Sequence, residues 1–176
     1  MKTHLKNILK RIFRKPGDPE IMVNSMISPD STIGKYTYIG YNCIVTKTQI
    51  GNYCSIANNI SIGLGEHDLD QISTSSYFYK NSYEELTKKD CVIGHDVWIG
   101  VDSIIRRGVR IGHGSVIGAN SFVNSDVPDF AIVAGTPAKV IKYRFSPEKI
   151  QEILKSEWWL KDIDQAKAII DRLQKK

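Results

Sequence analysis

The sequence has few cysteines, no long apolar run and almost no net charge outside its first residues. Its three cysteines, Cys43, Cys54 and Cys91, are too few and too irregularly spaced for a disulfide framework or a zinc finger, so we expect reduced thiols. No apolar stretch approaches the roughly 20 residues that a membrane-spanning helix needs. The N-terminus does not read as a secretory signal, because charged residues interrupt its apolar positions and no small-residue cleavage site follows. We therefore expect a cytoplasmic protein.

The net positive charge of the chain comes from its N-terminal end. The chain of 176 residues has 24 Lys and Arg against 19 Asp and Glu, a formal net charge of +5. Residues 1–16 hold six basic side chains and no acidic one, which leaves 18 basic against 19 acidic residues elsewhere. A nearly neutral body argues against a nucleic-acid partner. Residues 1–20 are predicted to form a basic amphipathic segment and linker, in which residues 1–15 either pack on the body or lie at the inner face of the membrane.

Aliphatic residues recur every six positions over most of the chain. A period of six matches neither a helix nor a long alternating strand, and it predicts short β segments that turn a corner after each hexad and stack as coils. The fifth position of each hexad is small or β-branched, which gives the three cysteines a packing role. One residue is missing after Ile39. The thirteen aliphatic positions are Ile27, Ile33, Ile39, Ile44, Ile50, Ile56, Ile62, Ile93, Ile99, Ile105, Ile111, Ile117 and Val123.

The hexad frame is lost between residues 64 and 90. This polar and aromatic segment is predicted to protrude from the coils, and loops on a rigid scaffold commonly carry functional residues. It begins with His67 between Glu66 and Asp68, two carboxylates that could orient the imidazole. A histidine can accept a proton near neutral pH. On loop position alone, a general base and an ordinary surface histidine are equal alternatives.

The wider pattern resembles the hexapeptide-repeat acyltransferases, in their xenobiotic or chloramphenicol-type O-acetyltransferase branch. The resemblance rests on YCSIANNISIG with the looped histidine and STSSYFY behind it, and on the segment from Val92 to Phe145. It implies an all-β fold, a left-handed parallel β-helix over residues 21–145, from which residues 64–90 protrude. With three hexads per coil, thirteen hexads make a little over four coils. Residues 146–176 are predicted to form a C-terminal α-helical cap, which begins at Ser146 and Pro147.

The resemblance also implies a reaction and the residues that perform it. Enzymes of this branch move an acetyl group from acetyl-CoA to a hydroxyl, and the loop histidine, here His67, is the general base. Trp98 would line the reaction cleft, and Tyr77 and Phe78 could contact the acceptor. The implied coenzyme-binding residues are Val101, Ala119, Asn124, Ser125, Lys139 and Lys142, with both lysines available for phosphate. No metal is implied. Members of the family form homotrimers with the coenzyme groove between neighbouring subunits.

The acceptor is expected to be a sugar hydroxyl of a cell-surface polysaccharide precursor, as in O-antigen or capsule modification. Inactivation of an antibiotic such as chloramphenicol or a streptogramin is the main alternative. A metal-dependent β-helical hydratase stays open, because His95 and His113 lie 18 residues apart at outward positions and should stack on successive coils. A non-catalytic β-helical scaffold is the last alternative.

Overall fold

The backbone forms a prism of short parallel β-strands. A computed structural model describes residues 15–175, and sixteen strands lie within them. Residues 1–14, which hold nearly all of the predicted amphipathic segment, lie outside the described residues. In chain order the strands are β1 (Glu20–Ile21), β2 (Met26–Ile27), β3 (Thr32–Ile33), β4 (Tyr38–Ile39), β5 (Ile44–Val45), β6 (Thr48–Ile50), β7 (Ser55–Ile56), β8 (Ser61–Ile62), β9 (Cys91–Ile93), β10 (Trp98–Ile99), β11 (Ile104–Ile105), β12 (Arg110–Ile111), β13 (Val116–Ile117), β14 (Phe122–Val123), β15 (Ala131–Gly135) and β16 (Ala138–Tyr143).

The coils build three parallel sheets, one on each face of the prism, and a complete coil contributes one strand to each. Face A has the order β1-β4-β7-β10-β13-β15-β16, face B the order β14-β11-β8-β5-β2, and face C the order β12-β9-β6-β3. All neighbours pair in parallel except β15 and β16. This is the predicted parallel β-helix of triangular section, consistent with the left-handed form. Face A has six parallel strands, so the prism is about six coils long rather than a little over four.

The aliphatic column fills the inside of the prism. Ile39, Ile56, Ile99 and Ile117 have no exposed surface, and each lies on a strand whose neighbouring side chain points outward. The small fifth positions are buried between them, including the three cysteines, which are free thiols. Burial raises the pKa of each thiol, and that of Cys54 to about 12. The predicted packing role of the cysteines is confirmed, and a thiol with a raised pKa is a poor nucleophile.

The missing residue lies one hexad later than predicted. Val45 is buried and pairs with Ile27 on one side and Ile62 on the other, whereas Ile44 points outward on the same strand. The short segment therefore runs from Val45 to Ile50, and it turns through Lys47, whose φ is 41°. Ile44 was the wrong choice for the aliphatic column.

The loop and the C-terminal segment are the parts of the described chain that leave the coils. Residues 63–90 depart at the corner between faces B and C, and include a 3₁₀ turn (Ser76–Phe78) and helix α1 (Ser82–Leu86). After β16 come α2 (Pro147–Ser156), a second 3₁₀ turn (Trp158–Leu160) and α3 (Ile163–Gln174). None of the helices in residues 15–175 has the length and apolar character needed to cross a membrane.

The C-terminal helices begin at local capping signals and pack on one corner of the prism. Ser146 caps α2 by accepting the N–H of Lys149, and Pro147 occupies its first turn, as predicted. Asp162 caps α3 by accepting the N–H of Gln165. A second apolar core joins this segment to the last coil. Its buried members are Phe130, Ile150, Ile153, Trp158, Trp159, Ala166 and Leu173.

Candidate active site

His67 lies near the start of the loop that leaves the prism between β8 and β9. Its side chain is exposed, and its ring meets the ring of Tyr79 edge-on, with centroids 6.0 Å apart. The Tyr79 hydroxyl accepts the backbone N–H of Asp68 at 2.8 Å. One side of the imidazole is therefore supported by the loop, and the rest is open to a ligand.

The carboxylates beside His67 have other partners. Glu66 forms an ion pair with Arg106, at 2.8 Å between Oε2 and Nη2. The Asp68 carboxylate accepts the backbone N–H of Asp70 at 3.1 Å. The support of the imidazole thus comes from Tyr79 and the loop backbone, and not from the flanking carboxylates considered from the sequence.

A cavity of about 310 Å³ lies between the loop and the prism corner, and His67 is part of its wall. This volume is at the small end of the range for ligand pockets. Leu69 and Leu86 supply apolar surface. The remaining lining is polar or ionisable, with Glu66, Asp68, Gln71, Glu85, Lys88 and Lys89 around the loop side. Arg106 and Arg107 form the prism side, so the cavity suits a small acceptor with several polar groups.

Tyr77 and Phe78 lie on the outer surface of the loop and outside this cavity. Tyr77 is 94% exposed, and Phe78 is also largely exposed. Tyr79, the next residue, is the aromatic side chain of this run that lines the cavity. Within one chain the two predicted acceptor contacts therefore do not line the cavity that contains His67.

A second group of predicted residues lies at the corner between faces A and B. Trp98 projects outward from β10 and is 56% exposed. Val101 and Ala119 occupy the turns after β10 and β13, and the backbone N–H of Asn120 donates to Val101 O at 2.9 Å, so the two turns stack. A Cβ on Gly100 would lie 2.6 Å from the backbone N of Ala119, so this corner has room only for glycine. The stacked turns form a narrow, smooth strip parallel to the prism axis.

The other predicted coenzyme residues lie apart from this strip. Asn124 and Ser125 follow β14 at the opposite edge of face B, and both are exposed. Lys139 and Lys142 lie on β16, where they pair with Ala134 and Ile132, and both are exposed. Their ammonium groups are accessible to an anionic ligand.

The structure thus separates the predicted site residues into two groups. His67 lies at the corner between faces B and C, whereas Trp98, Val101 and Ala119 lie on or beside face A. In a triangular prism, the corner between B and C is opposite face A. A single chain does not bring the two groups into one cleft.

His95 and His113 belong to a hydrogen-bond ladder at the corner between faces C and A. Nδ1 of His95 accepts the backbone N–H of Asn52 at 2.8 Å, and Nδ1 of His113 accepts that of His95 at 2.9 Å. Their rings stack 5.1 Å apart, and Trp159 stacks on both. Burial lowers the pKa of His95, and the neighbouring His113 lowers it further. These contacts give the pair a packing role.

A hydratase needs a metal held by several convergent ligands. Within residues 15–175, no three His, Cys, Asp or Glu side chains are grouped so that they could hold a metal ion. The two histidines stack as predicted, but the ladder accounts for their position.

Two residues at the site were not identified from the sequence. Arg106 and Arg107 follow β11 and reach the loop from the prism side. The hexad register contains a signal for them, because Ile105 pairs with Ile62, which stacks Arg106 on Gly63 at the base of the loop.

Comparisons with known proteins agree with this architecture. The family "Bacterial transferase hexapeptide (six repeats)" matches residues 90–125, and "Hexapeptide repeat of succinyl-transferase" matches residues 31–63. A chloramphenicol acetyltransferase from Klebsiella aerogenes is 33% identical over a gapped alignment of 189 positions, which covers 92% of this chain and 90% of that protein.

Two solved structures extend the comparison to the fold. A hexapeptide-repeat acetyltransferase from Vibrio cholerae, complexed with acetyl coenzyme A, has a TM-score of 0.66 at 26% identity, over 83% of this chain and 79% of that one. A galactoside acetyltransferase in complex with coenzyme A has a TM-score of 0.59 at 29% identity, over 82% of this chain and 72% of that one.

The parallel β-helix and the two matched hexapeptide-repeat families place the chain among the hexapeptide-repeat transferases. The similarity to an acetyltransferase over nearly the whole length narrows the class, and the chain belongs to the hexapeptide-repeat acetyltransferase family. Its class is the acetyl-CoA-dependent O-acetyltransferases, with acetyl-CoA as co-substrate, as the sequence predicted.

Proposed function

We propose that this enzyme acetylates a hydroxyl of a small antibiotic of the chloramphenicol type. The observation that supports this most is the 33% identity to a chloramphenicol acetyltransferase, which extends over 92% of the chain and so includes the loop. A repeat on its own favours no acceptor, because one fold can serve many functions. The antibiotic acceptor therefore takes precedence over the polysaccharide acceptor expected from the sequence.

His67 is the general base of the proposed reaction. It removes the proton of the acceptor hydroxyl while the oxygen attacks the carbonyl carbon of the thioester. The carbon–sulfur bond then breaks, and the proton on His67 passes to the leaving thiolate. Direct transfer is favoured because Cys43, Cys54 and Cys91 are buried with raised pKa values, so none is available to form an acyl-enzyme.

The coenzyme would lie along the strip at the corner of faces A and B. Val101 and Ala119 leave room for a flexible arm, and Trp98 covers its reactive end. Lys139 and Lys142 are exposed on β16 and would bind phosphate. These assignments fit the shape and charge of the surface and rest on the family resemblance.

A homotrimer would complete this site. The outward side chains of face B are Met26, Ile44, Ser61, Ile104 and Phe122, all apolar except Ser61, and Met26 is 62% and Ile104 is 47% exposed. Such a face marks an interaction surface. With face B towards a threefold axis, the corner between B and C of one protomer meets the corner between A and B of the next. His67 of one protomer then faces Trp98 of its partner, and Asn124 and Ser125 approach the coenzyme from the opposite side.

A sugar hydroxyl is the second candidate. The galactoside acetyltransferase resemblance and the several polar side chains that line the cavity both favour a polyhydroxyl acceptor. A lipid-linked precursor of cell-surface polysaccharide would also give the basic residues 1–15 a role at the inner face of the membrane. Pelleting with anionic vesicles, compared between the full chain and a variant that lacks residues 1–15, tests that location.

Release of CoA discriminates between the two acceptors. The full chain is supplied with acetyl-CoA and, in turn, with chloramphenicol, a streptogramin, nucleotide sugars and glycan fragments. We expect kcat/KM for chloramphenicol to exceed that for the sugars by about 10²-fold or more. The reverse preference would establish the sugar as acceptor and reject the antibiotic.

The assembly has its own test. Sedimentation equilibrium should give the mass of three chains, and Ile104→Asp should lower that mass and the activity together. An active monomer would contradict the composite site.

A further inference from the structure

The loop leaves and rejoins the prism at one corner, which interrupts the regular stacking of coils there. Backbone carbonyls at such a break lose the coil that would otherwise donate to them, and buried carbonyls need a partner. Those concerned are Gly63 and Lys89 at the two ends of the loop, and Thr46 and Lys47 in the shortened segment of the preceding coil, where Thr46 O also accepts the Thr48 hydroxyl at 2.8 Å.

The guanidinium of Arg107 donates hydrogen bonds to all four of these carbonyls. Its side chain is buried, with 4% exposed. Nη1 donates to Lys47 O at 2.8 Å and to Lys89 O at 3.2 Å. Nη2 donates to Thr46 O at 2.5 Å and to Gly63 O. One side chain therefore ties both ends of the loop to the coil beneath them.

Arg106 holds the same loop from outside. Its Nη2 lies 2.8 Å from Oε2 of Glu66, the residue before His67. The backbone N–H of Glu66 also donates to Leu86 O at 2.9 Å, at the far end of the loop. With Asp68 held by the Tyr79 hydroxyl, both neighbours of His67 are fixed.

We propose that Arg106 and Arg107 are positioning residues, which keep His67 in reaction geometry by clamping the loop to the prism. The proposal rests on the proposed role of His67 as general base. Catalysis tolerates only small displacements of a reacting group, so a loop freed at either arginine moves the imidazole out of place. Because both arginines also line the cavity, an acceptor-binding role is the competing explanation. The two explanations differ in kinetics, since lost positioning lowers kcat and lost binding raises KM.

Steady-state kinetics of R106Q, E66Q and R107K test the clamp. Each should lower kcat about tenfold or more, with KM for acetyl-CoA and for the acceptor within about twofold of the unchanged enzyme. The double variant R106Q/E66Q should be no worse than either single variant, because both remove the same ion pair. The matched control is R110Q, since Arg110 also faces a loop carboxylate, Asp90 at the end of the loop, but at 4.0 Å in a more exposed pair that is too weak to hold the loop, so kcat should stay unchanged.

Amide hydrogen exchange of residues 64–90 provides a readout that needs no acceptor. Exchange should become faster in R106Q and R107K and stay unchanged in R110Q, and the melting temperature of R106Q should equal that of the unchanged enzyme, because the Arg106–Glu66 pair is exposed. Unchanged exchange, unchanged kcat or an effect on KM alone would overturn the proposal. If R107K does not fold, R106Q and E66Q decide the question. An active His67→Ala enzyme would reject His67 as base, while exchange would still show whether the arginines hold the loop.

Discussion

The prism and the loop are stabilised in different ways. In the prism each coil repeats the contacts of the previous one: Ile99 is fully buried, and the N–H of Gly100 donates to Ile117 O at 2.8 Å. Among residues 64–90 only Thr87 is buried, and the loop is attached through a few individual contacts such as Lys47 with Glu84 at 2.8 Å. Stability is therefore distributed in the prism and local in the loop, where His67 lies. A rigid scaffold with a weakly buried loop allows the loop to change without loss of the fold.

The largest effect is expected at His67, where a substitution should lower activity without lowering stability. Replacing His67 by Ala removes the proposed base, so kcat should fall by about 10²- to 10⁴-fold. Because the side chain is exposed, the melting temperature and the dissociation constant for acetyl-CoA should not change. Rapid-quench measurement of CoA release and isothermal titration with acetyl-CoA test both statements. Retention of full activity would exclude His67 as base.

The second prediction concerns the prism core. Ile99→Ala should lower the free energy of unfolding by about 2–5 kcal/mol, because it deletes buried methyl groups where the coils above and below limit relaxation. Ile141→Ala on exposed β16 is the control, with an expected change within about 0.5 kcal/mol. Urea denaturation at fixed protein concentration gives both values. Equal losses at the two positions would contradict a core confined to the prism interior.

The prism could be predicted from the sequence because its constraint is local and repeated. Every hexad presents Ile or Val at the same position, and α2 begins at a serine cap followed by proline, both of which act over a few residues. Ile44 shows the limit of this approach. It and Val45 are both aliphatic, and only pairing with Ile27 and Ile62 on neighbouring coils selects Val45 for the interior.

The position of the loop could be predicted from the sequence, but its contacts could not. Loss of the period indicates its ends, but Glu66 and Arg106 are 40 positions apart, and no pattern joins them. The four carbonyls around Arg107 come together only through the path of the backbone. His67 and Trp98 are far apart because the loop leaves the prism at the corner between faces B and C. The register of the coils determines that corner, and the sequence around either residue does not reveal it.

The third prediction concerns the pH dependence of stability that His95 causes at the corner between faces C and A. The folded state disfavours the protonated form of His95, because burial and His113 lower its pKa, while Glu157 acts in the opposite direction. The folded protein therefore binds fewer protons than the unfolded chain, and this stabilisation is complete above the unfolded pKa of about 6.5. It is lost as the pH falls through the folded pKa, with a slope of at most about 1.4 kcal/mol per pH unit.

His95→Asn is the matched variant for this pH dependence. Asn52 occupies the equivalent corner on the preceding coil, where its Oδ1 accepts the N–H of Lys35 at 2.8 Å. An asparagine at position 95 can keep the ladder and remove the titration, so the unfolding free energy should vary less between pH 7 and pH 5. Urea titrations at several pH values measure this. An unaltered pH profile would place the titration elsewhere.

The smallest effect is expected at the tip of the loop. Ile72 is fully exposed in the single chain, so Ile72→Ser should change the free energy of unfolding by less than about 0.5 kcal/mol. Differential scanning calorimetry of Ile72→Ser and Ile99→Ala measures both losses of stability under the same conditions. The two values compare an isoleucine on the loop directly with one in the core. A clear loss of stability at position 72 would mean that the tip is buried against a partner protomer. Contacts between protomers would then order the loop, and the difference in burial between loop and prism would apply only to the isolated chain.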